Sequence, residues 1–364
     1  MKKAVIIGAG QTGRGFIAQI LDDNDYEITF LDKNRKLIEK LNTENEYKIE
    51  YFGDARPARI MSEFQAFSIG SDEAILALEA ADLVFVSVLA NNIPDLIPLF
   101  QEAVRLRGEN KLTIICCENG VNVKRPLVEA RLDAVISEGI IFCTTLQPDK
   151  DKLDLLSQDY PELPVDGQVD GIFLDIKGMP IEMKFPELIQ RKIYTYNFIS
   201  AIVSYFGSYE GYEAYGEAAN DPTVARFIER VVPIITEIVS KEFEVDYQEQ
   251  LTFTRNAVEK FQNKDIYDTI CRNAREAERK LSSHERLIVP LKLALKYHAP
   301  SRQIELVVAS AIYYGFEYEA LQVEDYFDFL KSELNDEQLI FRLRKMFEAL
   351  CQKRKLSEII DSFE

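Results

Sequence analysis

The run Lys3-Ala4-Val5-Ile6-Ile7, followed at once by Gly8-Ala9-Gly10-Gln11-Thr12-Gly13-Arg14-Gly15, constrains this chain more than any other stretch. A β-branched strand of the fully buried kind, a turn of spaced glycines and an apolar helix over Phe16 to Leu21 form one strand–turn–helix unit. Each glycine has its own task. Gly8 allows the tight turn, Gly10 lets a pyrophosphate approach the backbone, and Gly13 permits close helix-to-strand packing. Gln11 and Thr12 open the helix, where free amides face an anion. A second strand, Tyr26 to Leu31, ends at Asp32, about 20 residues past the turn, where a carboxylate accepts from ribose hydroxyls. A carboxylate there repels a 2′-phosphate, so NAD is expected over NADP, although Lys33 beside it softens the discrimination.

Leu83 to Val88 and Leu112 to Cys116 read as later parallel strands, each preceded by a helical segment. The expected fold is therefore α/β, a Rossmann doubly wound sheet. Gly70-Ser71, the loop Leu89 to Asn92 and the loop Glu118-Asn119-Gly120 should line the crevice at the strands' carboxyl ends. Asn119 would face the nicotinamide or a substrate oxygen; a turn-forming Asn before Gly120 is the equally open alternative. Ile140 to Leu146 reads as a strand, and Gly171 to Phe185 as β segments broken by Gly178 and Pro180, together an antiparallel extension of the sheet. After Pro186 the pattern turns helical and stays so. Asp221-Pro222 is a cap with proline at the first helical position, opening a helix to about Lys241 that Pro233 should kink. The division expected is 1–185, dinucleotide-binding with its β extension, and 186–364, an all-α substrate and catalytic domain.

Composition narrows the partners. A formal charge of −18 repels phosphate backbones and anionic lipid, so neither nucleic acid nor a membrane is expected as a partner. No uninterrupted apolar stretch approaches the ~18 residues that cross a bilayer, and the run after Lys2-Lys3 breaks at Gly8, short of a signal-peptide core. Five cysteines without a spaced framework suit a reduced, cytoplasmic setting. His284 and His298 are the only histidines, which disfavours a histidine-based metal centre, and no metal is expected.

The chemistry is placed at Arg191-Lys192-Ile193-Tyr194-Thr195-Tyr196-Asn197-Phe198-Ile199-Ser200. An amine and a carboxamide five residues apart on an apolar helix offer a proton acceptor and an oxygen-holding donor at about 100° of rotation per residue, and Ser200 falls about 60° from Asn197 on the same face, so the three side chains are expected to share one site. The alternative is a solvated Lys192 and an Asn satisfying local backbone. As a base at neutral pH, Lys192 would need burial, or nearby Arg272 and Arg275, to lower its pKa from ~10.4 toward ~7–8. Arg272, Arg275 and Arg279, spaced by three and four, read as one basic stripe on a helix suited to a phosphate, or as a solvated face balanced by Glu276 and Glu278.

Several motifs in order now carry a resemblance over essentially the whole chain: GAGQTGRGFI at Gly8 to Ile17, CENGV at Cys117 to Val121, RKIYTYN at Arg191 to Asn197 and RKLSSHERLIVP at Arg279 to Pro290. The sequence resembles the polyol-specific long-chain dehydrogenases, most closely the mannitol-1-phosphate 5-dehydrogenase branch. The resemblance implies a Rossmann domain with a helical domain, NAD(H) as cofactor and zinc-independent hydride transfer between a sugar alcohol phosphate and a keto-sugar phosphate. It implies Lys192 as the catalytic lysine and Asn119 and Asn197 as holders of the reacting oxygen. Arg272, Arg275 and Lys280 match positions that contact the polyol or its phosphate. Ser200 stands where the family has histidine, and Cys143-Thr144-Thr145 where it has a Val-Asp-Arg element. Those departures keep open a divergent NAD(H)-binding protein of the same fold. A 3-hydroxyacid dehydrogenase, which also uses lysine with asparagine, is a further alternative, although its spacing is one residue shorter. The expected assembly is a monomer or homodimer acting on a small molecule.

Overall fold

The computed structural model describes residues 2–363 apart from Asn119, Pro161 and Phe173. The chain divides into two compact units, Met1–Ile189 and Gln190–Glu364. Strands of the first unit are β1 (Lys2–Ile7), β2 (Tyr26–Asp32), β3 (Glu46–Tyr51), β4 (Arg59–Ser62), β5 (Gln65–Ser68), β6 (Leu83–Val86), β7 (Leu112–Cys116), β8 (Ala134–Glu138), β9 (Thr145–Leu146), β10 (Leu155–Ser157), β11 (Val165–Asp166) and β12 (Ile181–Glu182). Its helices are α1 (Ala18–Asp22), α2 (Arg35–Glu44), α3 (Asp72–Ala80), α4 (Ile97–Arg107) and α5 (Arg125–Glu129).

The main sheet has the order β5-β2-β1-β6-β7-β8 and is parallel throughout, with Ala4 opposite Ile28 on one side and Leu83 on the other. Alternate residues of β1 enter different cores: Ala4 and Ile6 join Ile28, Phe30 and Phe85, while Val5 and Ile7 join Leu31, Val84 and Val86. This two-sided burial is why such strands read as unbroken apolar runs. The strand order reverses between β1 and β6, which puts the ligand crevice of a doubly wound sheet at their carboxyl ends.

The antiparallel part of the unit is organised separately from that sheet. A second sheet, β4-β3-β10-β9, pairs β3 with β4 and β10 with β9 antiparallel, and β3 with β10 parallel. Of the run Ile140 to Leu146, only Thr145–Leu146 forms a strand; Ile140, Ile141 and Phe142 are buried outside named strands. Burial selects apolar residues whether or not they join a ladder, so composition over-extends the strand. Among the described residues between Gly171 and Phe185 the strand is Ile181–Glu182, paired parallel with β11 rather than antiparallel.

The second unit is helical. The boundary falls inside α6 (Phe185–Lys192), and a π-helical turn, Ile193–Asn197, leads into α7 (Phe198–Tyr209). Then follow α8 (Tyr215–Ala219), α9 (Pro222–Glu242), α10 (Tyr247–Gln262), α11 (Ile270–Ala274), α12 (Ala277–Lys280), α13 (Ile288–Lys296), α14 (Arg302–Glu319), α15 (Val323–Leu334), α16 (Glu337–Cys351) and α17 (Leu356–Phe363). As the sequence predicts, Asp221 caps α9, its carboxylate accepting from the amides of Thr223 and Val224 at 2.8 and 3.1 Å. The helical assignment of α9 continues through Pro233. Phe198, Ile202 and Phe206 of α7 pack with Val231 and Ile235 of α9 and with Val308 and Ile312 of α14 in one core. Full burial of each such side chain is worth roughly 1.5–3 kcal/mol.

Candidate active site

At the carboxyl end of β1 the glycines are required by space. A Cβ at Gly8, whose φ is +101°, would lie 2.1 Å from the Ser87 carbonyl oxygen beyond β6, and one at Gly13 would lie 2.1 Å from the Gly8 oxygen. Gly10 faces open space instead, with nothing within 4 Å of its missing Cβ, and Gly10 and Gln11 are exposed while Thr12 is half-buried. Asp32 braces this turn: its Oδ2 accepts from the Ala9 amide and its Oδ1 from the Asn34 amide, both at 2.8 Å. A carboxylate has lone pairs beyond those two, so it can also accept from ribose hydroxyls. The open Gly10, the amides that follow it and the braced Asp32 fit the pyrophosphate and ribose of a dinucleotide.

Arg14, a member of the glycine motif, has a task of its own in the structure. It is fully buried. Its Nε donates to the Ala9 carbonyl at 2.7 Å, Nη1 donates to the Leu153 carbonyl, and Nη2 donates to Gln147 Oε1 at 3.4 Å. The Tyr47 hydroxyl returns a bond to the Arg14 carbonyl at 2.8 Å, and the guanidinium lies over the Tyr47 ring. The glycine turn is thereby tied to the loop between β9 and β10. Gly15 makes the adjoining contact, since a Cβ there would lie 2.3 Å from Thr145 Cγ2. The departure Cys143-Thr144-Thr145 leads into β9 at this point, and Thr145 Oγ1 lies 3.3 Å from Ser157 Oγ.

Asn119 falls outside the described residues. Its neighbour Glu118 follows the carboxyl end of β7, and burial pushes its carboxyl up to about 8.

In the second unit Lys192 ends α6 and Asn197 ends the π-helical turn Ile193–Asn197. At about 100° per residue an α-helix would set residues five apart some 140° from each other. A π turn closes from i to i+5, so the extra residue brings the amine and the carboxamide onto one face. The turn is clamped by buried polar groups. Arg191 donates to Gln250 Oε1 at 3.0 Å and to Glu249 at 2.8 Å, and Gln250 donates to Thr195 Oγ1 at 2.9 Å. Tyr196 packs edge-on against Phe253 and Phe261 of α10.

Lys192 is half-buried. Burial pushes its amine down to about 7, and the cations Lys260 and Arg286 act in the same direction. Of the two causes expected, burial is the one at work, and the alternative of Arg272 and Arg275 is corrected: the cations that assist are Lys260, on α10, and Arg286, in the loop before α13. Arg286 was not singled out from the sequence, although its place inside the motif RKLSSHERLIVP is a signal that points to it; nothing in the sequence singles out Lys260. Ser200 is half-buried on α7, and its Oγ accepts from the Tyr215 hydroxyl at 2.8 Å.

The basic stripe on a single helix is also corrected. Arg275 has an extended backbone, φ −51° and ψ 159°, and Glu276 is left-handed at φ 62°, so α11 and α12 are separate helices. Arg272 is held by both oxygens of Asp268 at 2.8 Å, and Arg279 by Glu276 and Glu285, each at 2.9 Å. Arg275 is exposed. Lys280 is buried with its amine on the Asn273 carbonyl, and burial, helped by Arg286 and Arg279, pushes it down to about 7.

Comparison with known proteins identifies two family domains in order along the chain. Residues 2–146 match the mannitol dehydrogenase Rossmann domain and residues 185–361 the mannitol dehydrogenase C-terminal domain. A mannitol-1-phosphate 5-dehydrogenase of Caldanaerobacter subterraneus is 26% identical over 347 residues, 89% of each chain. One of Thermoanaerobacter pseudethanolicus is 26% identical over 337 residues, 87% of each. The mannitol 2-dehydrogenase of Pseudomonas fluorescens, solved as a ternary complex with NAD and D-mannitol, shares the fold with a TM-score of 0.72 at 14% identity, covering 100% of this chain and 93% of that one. With both domain models matched in order over most of its length, this chain belongs to the mannitol dehydrogenase family.

Proposed function

We propose that this NAD-dependent polyol dehydrogenase interconverts a sugar alcohol phosphate of the mannitol 1-phosphate type and a keto-sugar phosphate of the fructose 6-phosphate type. The observation that carries the reading is the Lys192 amine, pushed to about 7 by burial, one π turn from the Asn197 carboxamide. Gly8, Gly10, Gln11, Thr12, Gly13 and Asp32 would hold NAD, which when bound would supply the nicotinamide that takes or gives the hydride. Lys192, neutral, removes the hydroxyl proton during oxidation; protonated, it returns that proton during reduction. Asn197 and Ser200 donate to the substrate oxygen as its negative charge develops. Arg275 and Lys280 bind the polyol phosphate, and Arg272 is held by Asp268. Lys192 carries the proton transfer, so the proposal requires no zinc.

Support for the phosphate comes from the names of the two relatives at 26% identity and from exposed Arg275, whose guanidinium suits a phosphate. The test assays mannitol 1-phosphate with NAD and fructose 6-phosphate with NADH against the free sugars, in wild type, Lys192→Ala and Arg275→Ala. Lys192→Ala should lose at least ~10²-fold in turnover with NADH affinity retained. Arg275→Ala should lose affinity for the phosphorylated substrate more than for the free sugar. Near-normal turnover by Lys192→Ala rules out the lysine mechanism. An enzyme that turns over free polyols as well as their phosphates rules out the phosphate. Tight NADH binding without turnover on either substrate class favours a divergent cofactor-binding protein.

A further inference from the structure

Ser200 follows Asn197 by three residues, about 60° around α7, and so shares the face that the π turn gives to Lys192 and Asn197. Other hydroxyls of this chain show what a helical serine or threonine ordinarily does: Ser204, Thr254 and Ser310 each donate to the carbonyl four residues back. Ser200 does otherwise. Its Oγ accepts from the Tyr215 hydroxyl at 2.8 Å, the shorter of two contacts that hydroxyl makes with Ser200, the other being 3.3 Å to the carbonyl oxygen, and its own proton has no acceptor among the described residues. A hydroxyl that accepts one bond keeps a proton to give, and the incoming bond fixes the directions left for it.

Tyr215 is built into its place. Its amide donates to the Asp268 carbonyl at 2.9 Å, its ring packs edge-on against Phe261 at 5.6 Å between centroids, and it is 5% exposed. Gly207 of α7 lets α8 and α11 come close: a Cβ there would lie 2.7 Å from both Ala218 Cβ and Ile270 Cδ1. Phe261 also touches Tyr196 inside the π turn, so one aromatic side chain backs both the turn and the phenol. Burial holds the Tyr215 phenol well above its ordinary pKa, which keeps it a donor at any working pH.

We infer that Tyr215 is a positioning residue that, by donating to Ser200 Oγ, turns Ser200 into a one-way donor aimed at a substrate oxygen beside Lys192. The inference rests on the dehydrogenase reading above and deepens it by naming the group that orients the second donor.

The experiment is a double-mutant cycle on the full chain, with Ser200→Ala, Tyr215→Phe and both together, alongside Ser200→Thr and Lys192→Ala. Ser200→Ala should cost about 10²-fold in ketose reduction kcat, the size of a lost oxyanion donor. Tyr215→Phe should cost roughly ten-fold, because the hydroxyl remains but loses its orientation. In the Ser200→Ala background Tyr215→Phe should cost nothing further, since coupled residues are non-additive. Ser200→Thr, which keeps the hydroxyl, should recover most of the loss, and NADH affinity should be unchanged in all four. Equal kcat losses for Tyr215→Phe with and without Ser200, or no loss in either, overturn the inference while leaving the Lys192 reading intact. If Tyr215→Phe fails to fold, the comparison of Ser200→Thr with Ser200→Ala decides: failure of Thr to rescue overturns it. Absence of turnover in wild type sinks both readings together, and retention of turnover in Lys192→Ala removes the lysine mechanism while the Ser200–Tyr215 cycle still decides the inference.

Discussion

Varying pH tests the amine of Lys192 directly. Bringing the amine from 10.5 down to about 7 amounts to roughly 5 kcal/mol of bias toward the neutral form. The side chain is half-buried, so solvent screening makes this an upper figure. Near pH 7 about half the amines are then neutral, against about three in ten thousand for an unperturbed lysine. Steady-state NADH formation should give kcat/KM for polyol oxidation rising about ten-fold per pH unit in acid and levelling above an inflection near 7. Ketose reduction should show the opposite limb, since it needs the protonated amine. Lys260 and Arg286 both lower this pKa, so Lys260→Met and Arg286→Met should each move the inflection to higher pH. Lys280 also titrates near 7, and Lys280→Met separates its contribution. The linked stability has a definite sign: the unfolded chain holds the Lys192 proton up to about 10.5 and the folded chain only to about 7. This term therefore raises stability as pH climbs between those values and opposes folding fully below them. An oxidation limb that inflects between pH 9 and 10.5 in wild type would refute the reasoning.

Two further outcomes follow from the glycine turn. Arg14→Met removes the donors to the Ala9 and Leu153 carbonyls and should cost about 2–4 kcal/mol in thermal unfolding. It should also weaken NADH binding measured by calorimetry, because the Ala9 carbonyl is part of the turn; an unchanged Kd would show that the tie does not reach the cofactor. Gly15→Ala places a Cβ 2.3 Å from Thr145 Cγ2 and should cost about 1–3 kcal/mol. Thr145→Ser, which removes that methyl, should restore part of the lost melting temperature, and absence of rescue would locate the strain elsewhere.

What the sequence showed and what it hid divide along the range of the interactions involved. The glycine turn was legible because most of its constraint is local: Gly8 turns at a positive φ, Gly13 packs on the Gly8 carbonyl and Asp32 accepts from the Ala9 amide, all within one strand–turn–helix–strand, and only the approach of Ser87 to Gly8 comes from farther along the chain. So was the Asp221-Pro222 cap, which acts on the next three residues. The strands β3 and β4 were missed because their ladder gathers distant β10 and β9 and leaves Glu46, Glu50, Arg59 and Ser62 facing outward or half-buried. The break at Arg275-Glu276 carries no glycine or proline to announce it. Its cause is Glu319, 43 positions on, whose carboxylate accepts from the amides of Glu276 and Ala277 at 2.6 and 2.7 Å and so starts a new helix there. The spacing of Lys192 and Asn197 teaches the opposite lesson. Read as α-helix, five residues put the two groups on different faces and argue against a shared site; the spacing makes sense only with one residue inserted. The insertion is held by Gln250 on Thr195 and Arg191 on Gln250, from a helix some 55 residues away in sequence. A five-residue interval between two polar groups on an otherwise apolar helix is therefore itself a reason to expect a π turn, with a distant polar clamp holding it in place.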